Sequence, residues 1–320
     1  MKKIRFGIMG AGRMASVLMD TVNKVDCIEP YAVAARELSR AEEFAKTYGV
    51  EKAYGSYEEM LADPNVDMVY VVTPPSVHAQ QMKMCIEAGK AVFCEKPFTL
   101  TAEEAREVLS LAKEKTVFVG EAIWTRYMPM VASLEALKDE PLLGQIRAVY
   151  ADLGYPVWHK PRVQDLKLGG GALFDVGIYP LTFVDIMIGT DYEKLQTLTC
   201  KVGGVDQVGT IAMLYPDGKM ANIINSTIGP SDRQGIIYGT EGYAIVENVN
   251  NFEQIRIYDK MHVCVKTIDR PQQISGYEYE LYSAAKALEE GAIECPEMPH
   301  DKIIVVMKVM EATWKSIENE

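Results

Sequence analysis

The sequence predicts an α/β domain with a doubly wound parallel sheet, followed by an α+β domain with a large, mostly antiparallel sheet. Up to about residue 122, short apolar runs alternate with helical patterns, as in repeated βαβ units. Beyond that point, strand-like stretches follow one another across tight turns, which favours antiparallel pairing. We therefore expect a first domain at residues 1–122 and a second at residues 123–320 of this 320-residue chain.

Strands and helices alternate through the first domain. Its apolar runs are nearly continuous, as in V-D-M-V-Y-V-V at residues 66–72, because both faces of a parallel strand are buried. Thr101 followed by Glu104 fits a capping box at a helix start, and Gly89 fits a helix C-terminus. Strands are expected at residues 4–9, 30–35, 67–72, 91–94 and 117–119, and helices at residues 13–23, 39–48, 56–61, 77–88 and 102–113.

The second domain has a different pattern of elements. The segment Tyr215-Pro216-Asp217-Gly218 contains the Asp-Gly pair of a tight hairpin turn. Strands are expected at residues 146–153, 195–202, 208–214, 220–226, 234–239, 242–247 and 254–258, and helices at residues 130–139, 172–188, 277–290 and 302–317.

The composition excludes several classes of protein. Hydrophobic residues make up 48% and charged residues 24%, which is ordinary for a globular chain and excludes disorder, collagen and coiled coil. The formal net charge of −12 argues against nucleic acid or an anionic membrane as the main partner. The six cysteines show no C-x-x-C pair and no metal-ligand spacing, so we expect no metal site and a reduced, cytoplasmic protein. We also expect no membrane span, because no apolar run approaches the roughly 20 residues that a bilayer requires.

The first strand is followed at once by G-x-G-x-x-A at residues 10–15, opening a helix. Gly10 permits the tight turn, Gly12 lets a pyrophosphate approach the backbone, and Ala15 lets the helix pack close to the sheet. The phosphates then lie at the positive end of the helix. This pattern predicts a Rossmann dinucleotide site whose contacts include Gly10, Ala11, Gly12, Arg13 and Met14.

The residues after the second strand bear on the choice between NAD and NADP. A carboxylate there binds the ribose 2′-hydroxyl, whereas arginine accommodates a 2′-phosphate. The segment 34–40 reads A-A-R-E-L-S-R, with no acid at the strand end and with Arg36 and Arg40 one helical turn apart. Two guanidinium groups suit a dianionic phosphate, so we favour NADP. Glu37 favours NAD if it turns inward, and NAD therefore stays an alternative.

Two further segments follow strands whose carboxyl ends should face the cofactor. Thr73, Pro74 and His78 follow the strand expected at 67–72, and His78 is a candidate contact for nicotinamide or substrate. The motif E-K-P at residues 95–97 follows the strand expected at 91–94. Lys96 at such a place can stabilise a developing alkoxide or lower a neighbour's pKa. We count Thr73, Pro74, His78, Glu95 and Lys96 among the expected cofactor contacts.

Together these motifs resemble those of the Gfo/Idh/MocA oxidoreductase family. Three stand in the family's order, namely residues 10–15, residues 95–97 and G-G-A-L-x-D-x-G-x-Y-P at residues 170–180. Segments 34–40, 53–59 and 121–127 are similar, nearly residue by residue, to the group of dimeric dihydrodiol dehydrogenases and NADP-dependent D-xylose 1-dehydrogenases. The resemblance covers nearly the whole chain. It implies a second domain for substrate binding and oligomerisation, whose open sheet face is often buried in a dimer.

Asp175 and Tyr179 stand four residues apart and share one face of a helix. A carboxylate beside a phenol can orient a substrate hydroxyl. A tyrosine pKa of about 10 is too high for a base at neutral pH unless a cation lies close, and Lys96 is that cation in our hypothesis. The resemblance implies such a lysine–tyrosine pair for hydride transfer, so the predicted catalytic residues are Lys96, Tyr179 and Asp175. Inositol dehydrogenases of the family carry histidine at the place of Tyr179, which counts against inositol.

Other substrate contacts are expected around the predicted domain boundary and beyond it. Trp124 offers an aromatic face to a sugar ring or cyclic diol, although a core role is equally well supported. Arg126 and Arg147 are candidates for orienting a polar substrate, and the resemblance implies a role for Arg147. Relatives tend to carry an aromatic residue near position 153, so Leu153 favours sugars over aromatic diols.

We therefore expect an NADP-dependent oxidoreductase with its substrate bound between the two domains. It would transfer a hydride between the nicotinamide and a secondary alcohol or hemiacetal of a sugar, polyol or cyclic diol, or the matching carbonyl. Three alternatives stay open: a carbonyl or dicarbonyl reductase, an NAD-dependent redox-assisted glycoside hydrolase, and a non-catalytic NADP-binding sensor. The expected partners are this small molecule and further copies of the chain, in a homodimer or higher homo-oligomer.

Overall fold

The computed structural model describes residues 3–320, which form two compact units. The first unit comprises the chain up to Tyr127 together with Gln273–Ile304, and the second comprises Met128–Gln272 together with Val305–Glu320. The expected division after residue 122 therefore needs two changes. The 3-10 turn Trp124–Tyr127 belongs to the first unit, and a C-terminal segment returns to it.

The returning segment is held by contacts with the first unit. The backbone N–H of Val119 donates to the carbonyl of Ile293 at 2.9 Å. The rings of Trp124 and Tyr277 stack with their centroids 4.2 Å apart. Nothing in the local pattern of residues 273–304 indicates these partners, which explains why the sequence did not predict the return.

The first unit contains a six-stranded parallel sheet. Its strands are β1 (Ile4–Met9), β2 (Ile28–Ala34), β3 (Lys52–Tyr54), β4 (Met68–Val71), β5 (Ala91–Glu95) and β6 (Val119–Ala122), in the spatial order β3-β2-β1-β4-β5-β6. The strand order reverses between β1 and β4, and ligands of such sheets bind at the carboxyl ends of the strands there. The parallel sheet is confirmed. Only β3 was not predicted, because three residues are too short to show a period.

Five helices connect these strands. They are α1 (Arg13–Val22), α2 (Leu38–Tyr48), α3 (Tyr57–Ala62), α4 (His78–Glu87) and α5 (Ala102–Lys115). The predicted capping box is present at α5, where the Thr101 hydroxyl accepts from the Glu104 N–H and the Glu104 carboxylate accepts from the Thr101 N–H, both at 3.2 Å.

The second unit contains an eight-stranded sheet. Its strands are β7 (Ile146–Gly154), β8 (Lys194–Val202), β9 (Val205–Leu214), β10 (Met220–Ser226), β11 (Gly235–Gly239), β12 (Gly242–Glu247), β13 (Gln254–Asp259) and β14 (Cys264–Asp269), in the order β14-β13-β12-β11-β7-β10-β9-β8. β7 and β10 pair in parallel and the other neighbours are antiparallel, so the predicted, mostly antiparallel sheet is confirmed. The edge strand β14 is almost wholly exposed, so its sequence lacks the apolar face by which the other strands were found.

Four more helices complete the chain: α6 (Met130–Ala136), α7 (Ile178–Ile188), α8 (Glu278–Glu289) and α9 (His300–Glu318). A turn of π-helix, Leu173–Gly177, leads directly into α7. Within residues 3–320, the stretch Leu166–Ile188 is long and apolar enough to pass for a membrane span, which corrects the expectation that no run approaches that length. In the structure, 89% of its most apolar window is buried inside the protein, as for a core helix.

Candidate functional site

The turn between β1 and α1 leaves its backbone accessible. Gly10 has a φ of +111°, which L side chains rarely adopt, and a Cβ there would lie 3.1 Å from the Thr73 Cγ2 atom. Gly12 precedes α1, and nothing lies within 4 Å of the place where its Cβ would be. The first turn of α1 contains no acidic residue. An open backbone at the positive end of a helix fits the pyrophosphate of a dinucleotide.

Arg36 and Arg40 lie near one another beyond the end of β2. Both are exposed, and so is Glu37 between them. Burial raises the pKa of the Tyr57 phenol, while the charges of Arg36 and Arg40 both act against that rise. Both positive charges therefore lie in the neighbourhood of Tyr57, on the side of the sheet where β2 ends.

The His78 side chain connects the loops that follow β4 and β5. Its ring is 0% exposed, with Nε2 2.9 Å from the Thr73 carbonyl oxygen and Nδ1 3.0 Å from the Pro97 carbonyl oxygen. Burial lowers the pKa of His78. Each ring nitrogen thus faces a backbone carbonyl, and the nitrogen that carries the proton donates to it, so the structure supports a role in holding the two loops together rather than the expected contact with nicotinamide or substrate.

Two buried carboxyl groups hold the segment after β5. The Glu95 carboxylate accepts from the Lys96 N–H at 3.1 Å and from the Tyr70 hydroxyl. Glu121, on β6, is 0% exposed and accepts from the Phe98 N–H at 3.0 Å. Burial raises the pKa of Glu121 to about 8. Since Pro97 has no N–H, both backbone donors of residues 96–98 are bound to carboxyl groups. Sequence analysis did not identify Glu121.

The predicted cofactor residues lie along one edge of the first unit's sheet. Strands β2, β1, β4 and β5 are consecutive neighbours and parallel. The segments that follow them contain Arg36, the turn at residues 10–15, the loop at residues 73–78, and Lys96. The structure therefore brings these segments together at the carboxyl ends of the strands, where an α/β sheet binds its ligand.

Two predicted substrate contacts also belong to the first unit. Trp124 is 7% exposed and is stacked on Tyr277 with an angle of 17° between the rings. Arg126 is 7% exposed, and its charge is among the groups that lower the pKa of Glu121. Trp124 is therefore packed as a core residue on at least one of its faces.

In the second unit, Asp175 and Tyr179 lie on one continuous helical segment. Asp175 is on the π turn and Tyr179 is in the first turn of α7, where it is 9% exposed. The Asp175 carboxylate accepts from Arg162 Nη2 at 2.8 Å. Arg162 lies in a short 3-10 turn, Pro161–Gln164, which has no periodic signal, and the sequence did not point to it.

Leu153 and Arg147 lie at opposite ends of β7. Six residues of strand separate them by about 20 Å. Leu153 is 1% exposed and pairs in register with Asn225. Asn225 in turn lies beside Gly177, between Asp175 and Tyr179 in the sequence. Arg147 is exposed and lies beside Gly218 of the predicted hairpin turn. The structure thus brings Leu153, and not Arg147, to the strand end beside the Asp175–Tyr179 segment.

No group of three or more His, Cys, Asp or Glu side chains suited to a metal ion occurs among residues 3–320.

Two family models match separate parts of the chain, and a relative aligns with nearly all of it. Residues 4–122 match the model of the oxidoreductase family with an NAD-binding Rossmann fold, and residues 131–245 match the Gfo/Idh/MocA C-terminal domain. Trans-1,2-dihydrobenzene-1,2-diol dehydrogenase from Mus musculus is 30% identical over 328 residues, which is 98% of this chain and 97% of that protein. The enzyme of the same name from Bos taurus is 38% identical over 245 residues, 75% of this chain and 73% of that protein.

A solved structure shows the same fold. The 3-ketoreductase KijD10 from Actinomadura kijaniata, in complex with TDP-benzene and NADP, superimposes with a TM-score of 0.88 at 23% identity and 98% coverage of each chain. The motifs at residues 10–15, 95–97 and 170–180 are thus present in a chain that matches both family domains. The chain belongs to the Gfo/Idh/MocA family of NAD(P)-dependent oxidoreductases.

Proposed function

We propose that this protein is an NADP-dependent dehydrogenase that oxidises a secondary hydroxyl or hemiacetal of a sugar, polyol or cyclic diol, or reduces the matching carbonyl. The observation that carries the proposal is the arrangement of Asp175 and Tyr179. They lie four residues apart on one helical segment, and Asp175 is paired with Arg162. This arrangement offers a substrate hydroxyl both a hydrogen-bond acceptor and a phenol that can exchange a proton.

The residues divide the chemistry as follows. A bound nicotinamide supplies the hydride acceptor at its C4 atom. Tyr179 takes the proton of the reacting hydroxyl through its phenol oxygen. We propose that Lys96, at the cofactor edge of the first unit, is the catalytic cation that stabilises the negative charge developing on the substrate oxygen. Asp175 accepts a hydrogen bond from the substrate and orients it, and its pairing with the Arg162 cation favours the ionised, acceptor form.

Support for NADP comes from the first unit. Arg36 and Arg40 follow the end of β2, and both are exposed. Their positive charges both act to lower the pKa of the Tyr57 phenol. Their combined charge suits the 2′-phosphate that distinguishes NADP from NAD. Glu37 is the residue through which NAD would be preferred instead.

Support for the substrate class comes from the names of the relatives and from the residue at position 153. The curated relatives named above act, by their names, on a dihydrobenzene diol. Leu153 offers an apolar, non-aromatic side chain that is 1% exposed. We therefore favour sugars and polyols over aromatic diols as substrates.

We also propose a cytoplasmic protein that acts as a homodimer or higher homo-oligomer. The six cysteines are all unpaired, which suits a reducing compartment. The second sheet exposes large apolar side chains, including Leu198 and Ile224. Such side chains suit burial against a further copy of the chain.

The test is a screen of the purified protein with NADP⁺ and with NAD⁺ over aldopentoses, aldohexoses, inositols and cyclic diols, with the reverse reaction followed using NADPH. We expect turnover that is faster with NADP⁺. Tyr179→Phe should lose most of kcat and retain NADP⁺ binding, whereas Tyr282→Phe, at an exposed tyrosine of α8, should leave kcat unchanged. Binding without turnover across the whole panel would contradict the proposal, and an unchanged kcat in Tyr179→Phe would remove Tyr179 from the mechanism.

A further inference from the structure

A second buried carboxyl group lies at the start of the helical segment that carries Asp175 and Tyr179. Asp206, the second residue of β9, is 1% exposed. Its Oδ2 atom accepts from the Leu173 N–H at 2.6 Å. Leu173 is the first residue of the π turn, whose first N–H groups have no partner within the helix. The carboxyl group, which lies on β9, thus provides a hydrogen-bond acceptor for the first N–H of the π turn.

Gly171 makes room for this contact. It has a φ of +111°, and a Cβ at this position would overlap the Asp206 Oδ1 atom. Oδ1 has no hydrogen-bond partner among the described residues. One oxygen of Asp206 therefore holds the helix, and the other occupies the space that a side chain at position 171 would need. The glycine and the carboxyl group depend on one another.

A buried side chain also lies against the far end of the π turn. A Cβ on Gly177 would lie 2.5 Å from Asn225 Nδ2, on the neighbouring strand β10. Asn225 is 2% exposed. The five residues of the π turn thus lie between a side chain of β9 and a side chain of β10, and Asp175 is the middle residue of the five.

The position of Asp206 is energetically unfavourable for a carboxylate. Burial raises its pKa to about 7, although backbone N–H groups act in the opposite direction. An apolar side chain in its place would avoid that cost, but would leave the Leu173 N–H without an acceptor. The residue is thus explained by the geometry that it imposes on the helix start, and not by a general gain in stability.

We propose that Asp206 is a positioning residue for the reaction. Its carboxyl group lies in the space beside Gly171 and accepts from the Leu173 N–H, and this contact sets the start and rotation of the helical segment. The same contact thereby sets the places of Asp175 and Tyr179. This inference rests on the proposed function. It assigns no contact between Asp206 and substrate or cofactor. Misplacement of a reacting group by about 1 Å can cost about a hundredfold in rate.

The test compares three substitutions. Asp206→Ala removes the acceptor, and we expect kcat to fall roughly 10- to 100-fold while the Kd for NADP⁺ changes less than about twofold. Asp206→Asn keeps an oxygen for the Leu173 N–H, and kcat should stay within about fivefold of the wild type. Gly171→Ala should resemble Asp206→Ala. The matched control is Asp191→Ala, an exposed aspartate of the same unit, which should behave as the wild type.

Hydrogen exchange provides a readout that does not depend on activity. Amide exchange in residues 172–178 should be at least about tenfold faster in Asp206→Ala than in the wild type, and should return near wild type in Asp206→Asn. If the wild type turns over no substrate of the panel, the proposed function fails while exchange still tests the contact. Unchanged exchange in Asp206→Ala would overturn the contact. Faster exchange with unchanged kcat would overturn the positioning role.

The double substitution guards against a folding defect in one variant. Alanine at position 171 meets two obstacles, the clash with Asp206 and the φ of +111°, and Asp206→Ala removes only the first. The loss of kcat in the double variant should therefore be smaller than the product of the two single losses, and a loss larger than that product would contradict the proposal. If Asp206→Ala does not fold, Gly171→Ala and Asp206→Asn decide the question by the same two readouts.

Discussion

Glu121 should make the first unit less stable as the pH rises. The folded protein raises the pKa of this carboxyl group from 4.5 to about 8, mainly through burial. Between those two values the folded state holds a proton that the unfolded state has released. The stabilisation from that proton is complete below pH 4.5 and is lost as the pH rises through 8. Substitution by glutamine removes the titration and keeps an oxygen for the Phe98 N–H.

The expected magnitude follows from the same shift. Each pH unit between the two pKa values changes the free energy of unfolding by about 1.4 kcal/mol. From pH 6 to pH 9 only the part below 8 counts, so Glu121 should account for a loss of about 2–3 kcal/mol. Asp206, whose pKa is raised to about 7, changes stability in the same direction over part of this range. The comparison that isolates Glu121 is therefore the difference between the wild type and Glu121→Gln.

The assay is urea unfolding followed by circular dichroism at pH 6, 7, 8 and 9. The free energy of unfolding of Glu121→Gln should decline less steeply than that of the wild type, by about 2–3 kcal/mol over the series. Any constant offset between the two proteins is irrelevant, because the slope carries the prediction. Glu114→Gln, at an exposed glutamate of α5, should decline in parallel with the wild type. Parallel curves for Glu121→Gln and the wild type would refute the reasoning.

Three further substitutions test other parts of the structure. Lys96→Met should lower kcat at least about 100-fold, because the negative charge that develops during the transfer loses its cation; an unchanged kcat would remove Lys96 from the mechanism. Arg36→Ala should raise the KM for NADP⁺ by one to two decades, because it removes a charge-assisted hydrogen bond that contributes about 1.5–3 kcal/mol. An equal rise in the KM for NAD⁺ would contradict the assignment of Arg36 to the 2′-phosphate. Lys90 is 9% exposed and donates to the carbonyls of Asp63 and Val66 at 2.7 and 2.9 Å. Lys90→Met should therefore lower the free energy of unfolding in urea by about 2–3 kcal/mol. A loss no larger than that of Lys24→Met, at an exposed lysine, would show that these bonds contribute little.

The sequence predicted most of the elements because burial imposes a period on them. β1, β10 and β12 have the predicted bounds, and the helices expected at 102–113 and 302–317 extend by a few residues at most. The strands that were missed are those in which burial leaves little trace. β3 is three residues long, and β14 is an edge strand in which five of the six residues are exposed, whereas the opposite edge strand β8 alternates exposed and half-buried residues over most of its length.

The π turn shows a different limit of sequence reasoning. Residues 172–188 are apolar at nearly every position, so their pattern is compatible with a helix of any rotation. The extra residue in the first turn is associated with two distant partners, Asp206 and Asn225, and with the glycines that admit them. The motif G-G-A-L-F-D-V-G was identified from its resemblance, whereas its geometry depends on strands about 30 to 50 residues later in the chain.

The site residues that the sequence did not identify contact other residues of the chain. Arg162 pairs with Asp175, Glu121 binds the backbone N–H two residues after Lys96, and Asp206 binds the backbone N–H two residues before Asp175. Each contact joins residues 13 to 33 positions apart in the chain. No motif of fixed spacing describes such a contact, since its distance in sequence is set by the loops between the elements.

Two of these residues lie in strand segments that the sequence did not predict, since the strands were expected at 117–119 and 208–214 and are observed at Val119–Ala122 and Val205–Leu214. Glu121 follows Val119-Gly120 and precedes Ala122-Ile123 within a strand, and Asp206 follows Val205 at the start of another. An acid whose own side chain is buried has no solvent to receive it, so it must find a donor or stay protonated. Both acids bind a backbone N–H and both have a raised pKa, as this reasoning requires. The same reasoning applies to Glu95, the last residue of the strand A-V-F-C-E, whose carboxylate accepts from the Lys96 N–H. In this chain, three buried acids near strand ends thus bind the backbone at or close to a proposed catalytic side chain.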